Sequence, residues 1–372
     1  MDESVIRVAQ FPPVDPSQPA SFPALLERAT EAAGIHAAHT ERLRTRWALR
    51  QRQANVVHLH WLEYIVTVEG GSIGGWVRTL VRTTRLLASL LVLRTRGVGI
   101  IWTVHNLMPH EASRPRIQRF IAHATYLLCD EVIVHSDYAA ARVRTTFRGA
   151  RRRSIHVIPH ANYVGAHPPA AESPDAFRDR LGVPRNAYVY LCFGQIRRYK
   201  RLTHLAEAFG RLPDEDARLL IVGNAVDSEE AARLDTLAAK DPRILLRPGH
   251  VPDELVASIH AATDAAVIAY RDVFSSGALM LALSHGVPVV APRSGTVSEL
   301  FAPPAVEFFD GSDDDLRDAL TRVRSRRGPE QAEAALRAAH AHSWSEAGRR
   351  TALVYRLARN RHRRPQKDAS NQ

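Results

Sequence analysis

A chain of 372 residues with 45% apolar and 24% charged side chains, 22 prolines and 20 glycines has a globular composition. It excludes the disordered and fibrous classes and is long enough for two ordinary cores. The two cysteines, Cys129 and Cys192, each lie in an apolar segment, which excludes a disulfide framework or a paired-cysteine metal site and predicts a reducing, cytoplasmic setting. The net charge of +11 is uneven: residues 1–165 hold 21 Arg against 12 Asp and Glu, residues 166–372 hold 29 Lys and Arg against 27. The basic first half suits nucleic acid, anionic lipid or a phosphorylated substrate, and charge alone does not choose among them.

Along the chain, MDESVIRVAQ opens acidic, and no window reaches 18 uninterrupted apolar residues, so neither a signal peptide nor a membrane span is expected. β-Branched runs at 5–9, 56–60, 98–104, 132–135 and 155–158 alternate with helical stretches. One of these, 76–97, carries arginines at 78, 82, 85, 94 and 96 around an apolar helix. A packed surface helix is the favoured reading, and a membrane-surface helix drawn to anionic lipid is the sharper one. After the proline-rich AHPPAAESPD at 166–175, runs at 188–193, 219–222, 244–246, 265–269 and 287–291 repeat the alternation. The pattern predicts an α/β protein with two Rossmann-like, doubly wound parallel sheets, in domains 1–165 and 166–345. A C-terminal helix, 346–364, is expected to cross back to the N-terminal domain, and 365–372 to form a disordered tail.

Ligands of such sheets sit outside the carboxyl ends of the strands, where polar or glycine-containing segments fall: 10–13, 60–63, 105–111, 135–137, 194–200, 223–225 and 270–277. Two such sheets facing each other are expected to form a cleft. In YLCFGQIRRYKRL, Gly194 marks a tight turn and Arg197, Arg198 and Lys200 bring three cations to a strand end before a helix starting near Leu202, suited to a diphosphate. In AYRDVFSSGALMLALSHGVPVVAP, Ser275 or Ser276 caps a helix running to about His285, with Gly286 at its C-terminal turn. Gly277 allows close approach, so the capped end reads as a phosphate cradle. His58 and His60 alternate on one strand face without a third ligand nearby, and read as satisfied core or cleft histidines. His105, His110 and Glu111 superficially resemble a zinc pattern, but Pro109 denies them a continuous helix. No metal is expected.

In this order TVHN (103–106), VIVHS (132–136), VIPHAN (157–162), FGQIRRYKRL (193–202), LLIVG (219–223), PGHVPDEL (248–255) and SSGALMLALSHGVPVVAP (275–292) resemble a GT-B glycosyltransferase of family 4. The resemblance spans nearly the whole chain. It implies a nucleotide-sugar donor held by the C-terminal domain, a glycan or lipid-linked acceptor held by the N-terminal domain, and neither metal nor cofactor. His105 would lie near the transferred sugar, with Arg197 and Lys200 facing the donor diphosphate. Ser275 and the amides of Ser276 and Gly277 would cap that diphosphate. Gly194 and Gly223 would line the nucleotide, His250 and Val251 would border the base, and Glu299 falls on a late acidic position nearby. Two departures stand out: a glutamate pair usual in the family is replaced by about Val273 and Leu281, and Gln195 stands where an arginine is usual. The chain is also similar to a divergent bacterial group that includes mannosyltransferases of surface polysaccharide assembly.

The expected activity is transfer of a hexose, with mannose from GDP-mannose the best match, at the inner face of the membrane. A retaining course could use the departing phosphate as base. An inverting course needs a side chain, and His105, His110 and Glu111 are the candidates. The alternatives are a GT-B-like sugar-nucleotide epimerase, or a non-enzymatic basic module binding membrane or nucleic acid. No nucleic-acid-binding signature accompanies the charge, so nucleic acid is not an expected partner.

Overall fold

The structure is a computed structural model that describes residues 5–38, 40, 42–66, 72–107, 114–147 and 154–362. His110, Glu111 and the expected tail at 365–372 lie outside the described residues. The chain divides into two compact units: 1–159 together with 344–372, and 160–343.

In the first unit the described strands are β1 (Ile6–Phe11), β2 (Ile35–Ala37), β3 (Val56–Leu59), β4 (Gly99–Thr103), β5 (Glu131–Val134) and β6 (Ser154–Val157). They pair in parallel in the order β2-β1-β3-β4-β5-β6. Their β-branched and aliphatic residues are buried on both faces, as parallel sheets require: Val56, Val57, Ile100, Ile101, Val132 and Val134 are all inaccessible. The C-terminal helix, Trp344–Asn360, belongs to this unit. Gly348 lets it pack closely, since a Cβ there would sit 2.4 Å from the Ala29 carbonyl oxygen. Two turns on, buried Tyr355 reaches the sheet and meets the imidazole of His58.

In the second unit the strands are β7 (Tyr188–Phe193), β8 (Ala217–Gly223), β9 (Ile244–Pro248), β10 (Ala265–Val267), β11 (Val289–Pro292) and β12 (Val306–Phe309). They run parallel in the order β12-β11-β10-β7-β8-β9. Strand order therefore reverses between β1 and β3 in one sheet and between β7 and β10 in the other. At such switch points neighbouring connections leave towards opposite faces and open a crevice at the strand ends.

β2 and β12 were not expected from the sequence. β2 is a three-residue edge strand, Ile-His-Ala, with one buried residue, and β12 follows the Pro303-Pro304 pair, which masks a short strand. The second unit begins at His160, ahead of the proline-rich stretch that suggested residue 166. The reason is local bonding: Asn162 donates from its amide N–H to His342 O (2.9 Å) and from Nδ2 to Ala339 O (3.0 Å), and Tyr163 N–H donates to Ser284 Oγ (2.8 Å).

Candidate active site

In the first unit, four strands in spatial order deliver four polar side chains to the carboxyl edge of the sheet. Gln10 is the penultimate residue of β1, His60 follows β3, His105 lies just past β4 and His135 follows β5. Each bonds the next. His60 Nε2 lies 2.9 Å from Gln10 Oε1, His60 Nδ1 lies 3.2 Å from His105 Nε2, and His105 Nδ1 lies 3.3 Å from His135 Nε2. His135 Nδ1 ends the series 2.8 Å from the Ile158 carbonyl. All four side chains are buried. Trp61 stacks on His105 with ring centroids 4.2 Å apart and planes 15° from parallel, and Phe22 packs its edge on the rings of His60, His105 and His135.

Burial penalises an imidazolium, and the neighbouring imidazoles add to the effect. It pushes His60 down to about 3, with His135 contributing, and His135 down to about 4 against a rise from its bond to Ile158. His58, held between Tyr355 Oη (2.8 Å) and Thr103 Oγ1 (2.7 Å), is pushed well below its ordinary value, chiefly by burial. A cavity opens beside this array, lined by His60, Trp61, Glu63, Trp102, His105 and Gln118 among others. His60 and His105 face it, backed by a wall that is mostly aromatic and aliphatic.

In the second unit the strand ends carry glycines and cations. Gly223 adopts φ +142°, and a Cβ there would lie 2.3 Å from the Gly194 carbonyl oxygen, so the ends of β7 and β8 touch backbone to backbone. Gly194, at φ +99°, borders Lys200 Nζ, which would be 3.2 Å from a Cβ at that position. Lys200 is buried, within 3.5 Å of the Phe193 carbonyl and 5.8 Å from the centre of the Tyr270 ring. Burial lowers it to about 8; the Cys192 thiol opposes the shift and Arg197 adds to it. Arg197 is half-buried and donates from Nε to Gln195 Oε1 (2.9 Å). Past β10, Ser276 caps the Gly277–Ser284 helix by accepting from the Leu279 amide (3.2 Å). The helix end then presents the N–H groups of Gly277 and Ala278. A Cβ on Gly277 would lie 3.3 Å from Tyr163 Oη and 3.9 Å from His160 Nε2.

A family model described as glycosyl transferases group 1 matches residues 187–324. The GDP-mannose:glycolipid 4-beta-D-mannosyltransferase of Xanthomonas campestris pv. campestris is 28% identical over 281 residues, which cover 74% of this chain and 73% of that protein. A D-inositol 3-phosphate glycosyltransferase from Xylanimonas cellulosilytica is 27% identical over 224 residues, 56% of this chain and 53% of that one. In fold, sucrose-phosphate synthase from Thermosynechococcus elongatus superposes with a TM-score of 0.72 at 17% identity, covering 94% of this chain and 98% of that one. Anabaena Alr3699/HepE in complex with UDP and glucose does so at 0.68 and 15%, covering 94% and 99%. This chain has the GT-B fold and is a glycosyltransferase, similar over residues 187–324 to glycosyl transferases group 1.

The expected site residues of the glycosyltransferase distribute as follows. His105 sits at the centre of the imidazole array. Gly194 and Lys200, after β7, lie against Gly223 at the end of β8, and Ser276 and Gly277 open the helix. Ser275 precedes them, half-buried. The expectation of three cations meeting at the strand end needs correction: Arg198 is exposed, pairs with Glu229 and lies 3.7 Å from Asp227. Those carboxylates sit at the start of the Ser228–Lys240 helix and draw the Arg198 guanidinium outwards. His250 and Glu299 are exposed. Val251 packs into the apolar cluster of Phe177, Val222 and Ile259, so its side chain serves packing. Val273 and Leu281, which replace the usual glutamates, are buried in apolar surroundings. The sequence reading placed Gln10, His60 and His135 in polar segments at strand ends without a catalytic role, and gave none to His160, within VIPHAN, or to Tyr163, which follows it.

Proposed function

We propose that this glycosyltransferase moves a mannosyl group from GDP-mannose to a saccharide acceptor carried on a lipid, with inversion at the anomeric carbon. The donor and acceptor follow the printed name of the Xanthomonas relative, and a β-linked product from an α-configured nucleotide sugar requires inversion. The observation that carries the reading is the contrast in strand-end chemistry: a cavity walled by imidazoles in one unit, a turn of glycines with a buried lysine and a helix N-terminus in the other. An inverting transfer needs both a base for the acceptor hydroxyl and fixed positive charge for the leaving diphosphate.

In this reading the acceptor hydroxyl enters the first-unit cavity and gives its proton to His105. Its oxygen forms the new bond to the anomeric carbon, and the bond from that carbon to the diphosphate breaks with its electron pair on the phosphate oxygen. Lys200, Arg197 and the amides of Gly277 and Ala278 meet that charge without a metal. His250 and Glu299 border the nucleoside. His110 and Glu111 remain candidates to hold the acceptor.

A lipid-linked acceptor calls for contact with a bilayer, and the Ile73–Thr95 helix offers a surface for it. Ile73, Trp76 and Leu80 are 85%, 49% and 66% exposed, and Arg114 lies over the Trp76 ring at 3.6 Å. An aromatic and aliphatic ridge beside arginines suits the interface of an anionic membrane. No helix among the described residues is long and apolar enough to cross a membrane, so the proposed association is peripheral, on the cytoplasmic side.

The test is incubation of the protein with GDP- and UDP-sugars and lipid-linked saccharides, following nucleotide release and the anomeric configuration of the product. Turnover of GDP-mannose to a β-linked mannoside is expected. Intact protein that neither binds nor turns over any donor sinks the proposal, and a new sugar nucleotide formed without acceptor would redirect it to epimerisation.

A further inference from the structure

The Pro115–Leu128 helix of the first unit joins three kinds of surface. Gln118, Ile121 and Ala122 line the cavity beside the imidazole array. One turn towards the helix start, Arg114 lies over the Trp76 ring, its guanidinium carbon 3.6 Å from the ring centre. Trp76 in turn belongs to the exposed apolar ridge of the Ile73–Thr95 helix, with Ile73, Val77 and Leu80. That ridge runs against the usual pattern, because the same helix buries Thr79 and Thr83 while Ile73 and Leu80 face outwards. Cavity, cation and ridge therefore follow one another, with a rise of about 6 Å along the helix from Gln118 to Arg114 and about 10 Å from Ile121.

The polar atoms of this stretch lack protein partners. Arg114 Nε and Gln118 Oε1 are both buried without a hydrogen bond, a costly state for a charged donor and for an amide oxygen. Among the described residues no carboxylate pairs with Arg114, and the first turn of its helix holds no acid, although arginines at 114 and 116 oppose the helix dipole there. Glu63, the one acid among the described residues that line the cavity, comes from the Leu62–Ile65 helix instead. A guanidinium held over an aromatic face keeps its terminal N–H groups for a planar, two-point partner, and phosphate is such a partner.

We propose that this face binds an acceptor whose saccharide is joined to its lipid through a phosphate: the sugar in the cavity, the phosphate on Arg114, and the start of the lipid chain along Trp76, Val77 and Leu80. Charge complementarity selects the occupant, since a neutral glycolipid would leave the guanidinium without a counter-charge. The order of groups in such a molecule is the order of cavity, cation and ridge. An anionic bilayer would also meet an arginine, but the place of Arg114, one turn from a cavity-lining residue, favours the phosphate of the acceptor itself. The inference rests on the acceptor reading above for the saccharide, whereas the phosphate and chain sites stand on Arg114, Trp76 and the ridge.

The experiment is calorimetric titration of the full-length protein with dodecyl phosphate, dodecyl maltoside and inorganic phosphate, the amphiphiles kept below their micelle concentrations. Dodecyl phosphate should bind at least about tenfold more tightly than inorganic phosphate. Arg114→Gln should weaken dodecyl phosphate about tenfold and leave dodecyl maltoside unchanged, and Lys200→Ala should alter neither, which separates this site from the donor turn. An Arg114→Gln protein that binds dodecyl phosphate undiminished, or loses both amphiphiles equally, overturns the proposal, as does a loss that follows Lys200→Ala. A kinetic arm compares one saccharide carried on dodecyl phosphate with the same saccharide as a neutral dodecyl glycoside. Arg114→Gln should raise the KM of the first about tenfold and leave its kcat and the neutral acceptor unchanged; an equal rise for both acceptors would remove the phosphate contact. Sedimentation with phosphatidylglycerol vesicles separates acceptor from bilayer. Arg114→Gln should still sediment, and a variant that loses the vesicles while keeping dodecyl phosphate would assign the guanidinium to the membrane and overturn the proposal. If the protein transfers no sugar at all, the titration still decides the phosphate site.

Discussion

The two units share one architecture and differ in what their strand ends carry. Each is a six-stranded parallel sheet with one reversal of strand order. At the first reversal, β1 and β3 supply Gln10 and His60, neutral groups joined by a hydrogen bond. At the second, β7 and β10 supply the Gly194 turn with buried Lys200, and the loop leading to Ser276 and Gly277: fixed positive charge and bare amides. The fold provides the crevice, and a few residues at each strand end decide whether it presents imidazoles or cations and amides. Charge was kept out of the first site by burial, which holds His60 and His135 neutral. In the second, burial brings a lysine down to about 8 without discharging it at neutral pH.

That contrast can be broken residue by residue. The largest effect is expected from Gly223→Ala. Its Cβ would strike the Gly194 carbonyl at a φ that L-residues rarely adopt, costing about 3–5 kcal/mol in a denaturant titration and loosening the donor turn. Next is His105→Asn, which should lower kcat by about 10²–10⁴ while GDP affinity holds, the signature of a lost base. Lys200→Ala should reduce turnover by at least about tenfold and weaken GDP binding. Because Lys200 is lowered to about 8, its cation is present below that pH and lost above it. Donor affinity should fall as pH rises through about 8, and Lys200→Arg should flatten that limb, since a guanidinium does not titrate there. Arg197→Ala, at a half-buried and solvent-screened position, should cost about tenfold in turnover without moving the pH profile. Smallest is the double change Trp76→Ala with Leu80→Ala, expected to weaken sedimentation with anionic vesicles several-fold while leaving turnover of a water-soluble acceptor intact.

The fold was legible because its signal is coarse: buried β-branched runs at regular intervals survive without knowledge of contacts. The Tyr188–Phe193 strand and the capped helix after Ser276 emerged directly, since alternation and capping chemistry are local. β2 escaped because three residues with one buried side chain carry no period. The donor turn was partly visible in its glycines and cations, yet Arg198 could be excluded only by the carboxylates of Asp227 and Glu229, some thirty positions on. The imidazole array was the least legible part. Gln10, His60, His105 and His135 are spread over more than a hundred residues, and each looks like a core or loop residue where it stands. Only the strand order places them side by side.

The most direct test of this division of labour is GDP binding measured by calorimetry beside turnover for three proteins: wild type, His105→Asn and Lys200→Ala. The account predicts that His105→Asn binds GDP as the wild type does while its turnover falls at least about a hundredfold, and that Lys200→Ala binds GDP at least about tenfold more weakly. A His105→Asn protein that loses GDP binding in proportion to turnover, or a Lys200→Ala protein that binds GDP undiminished, would contradict it.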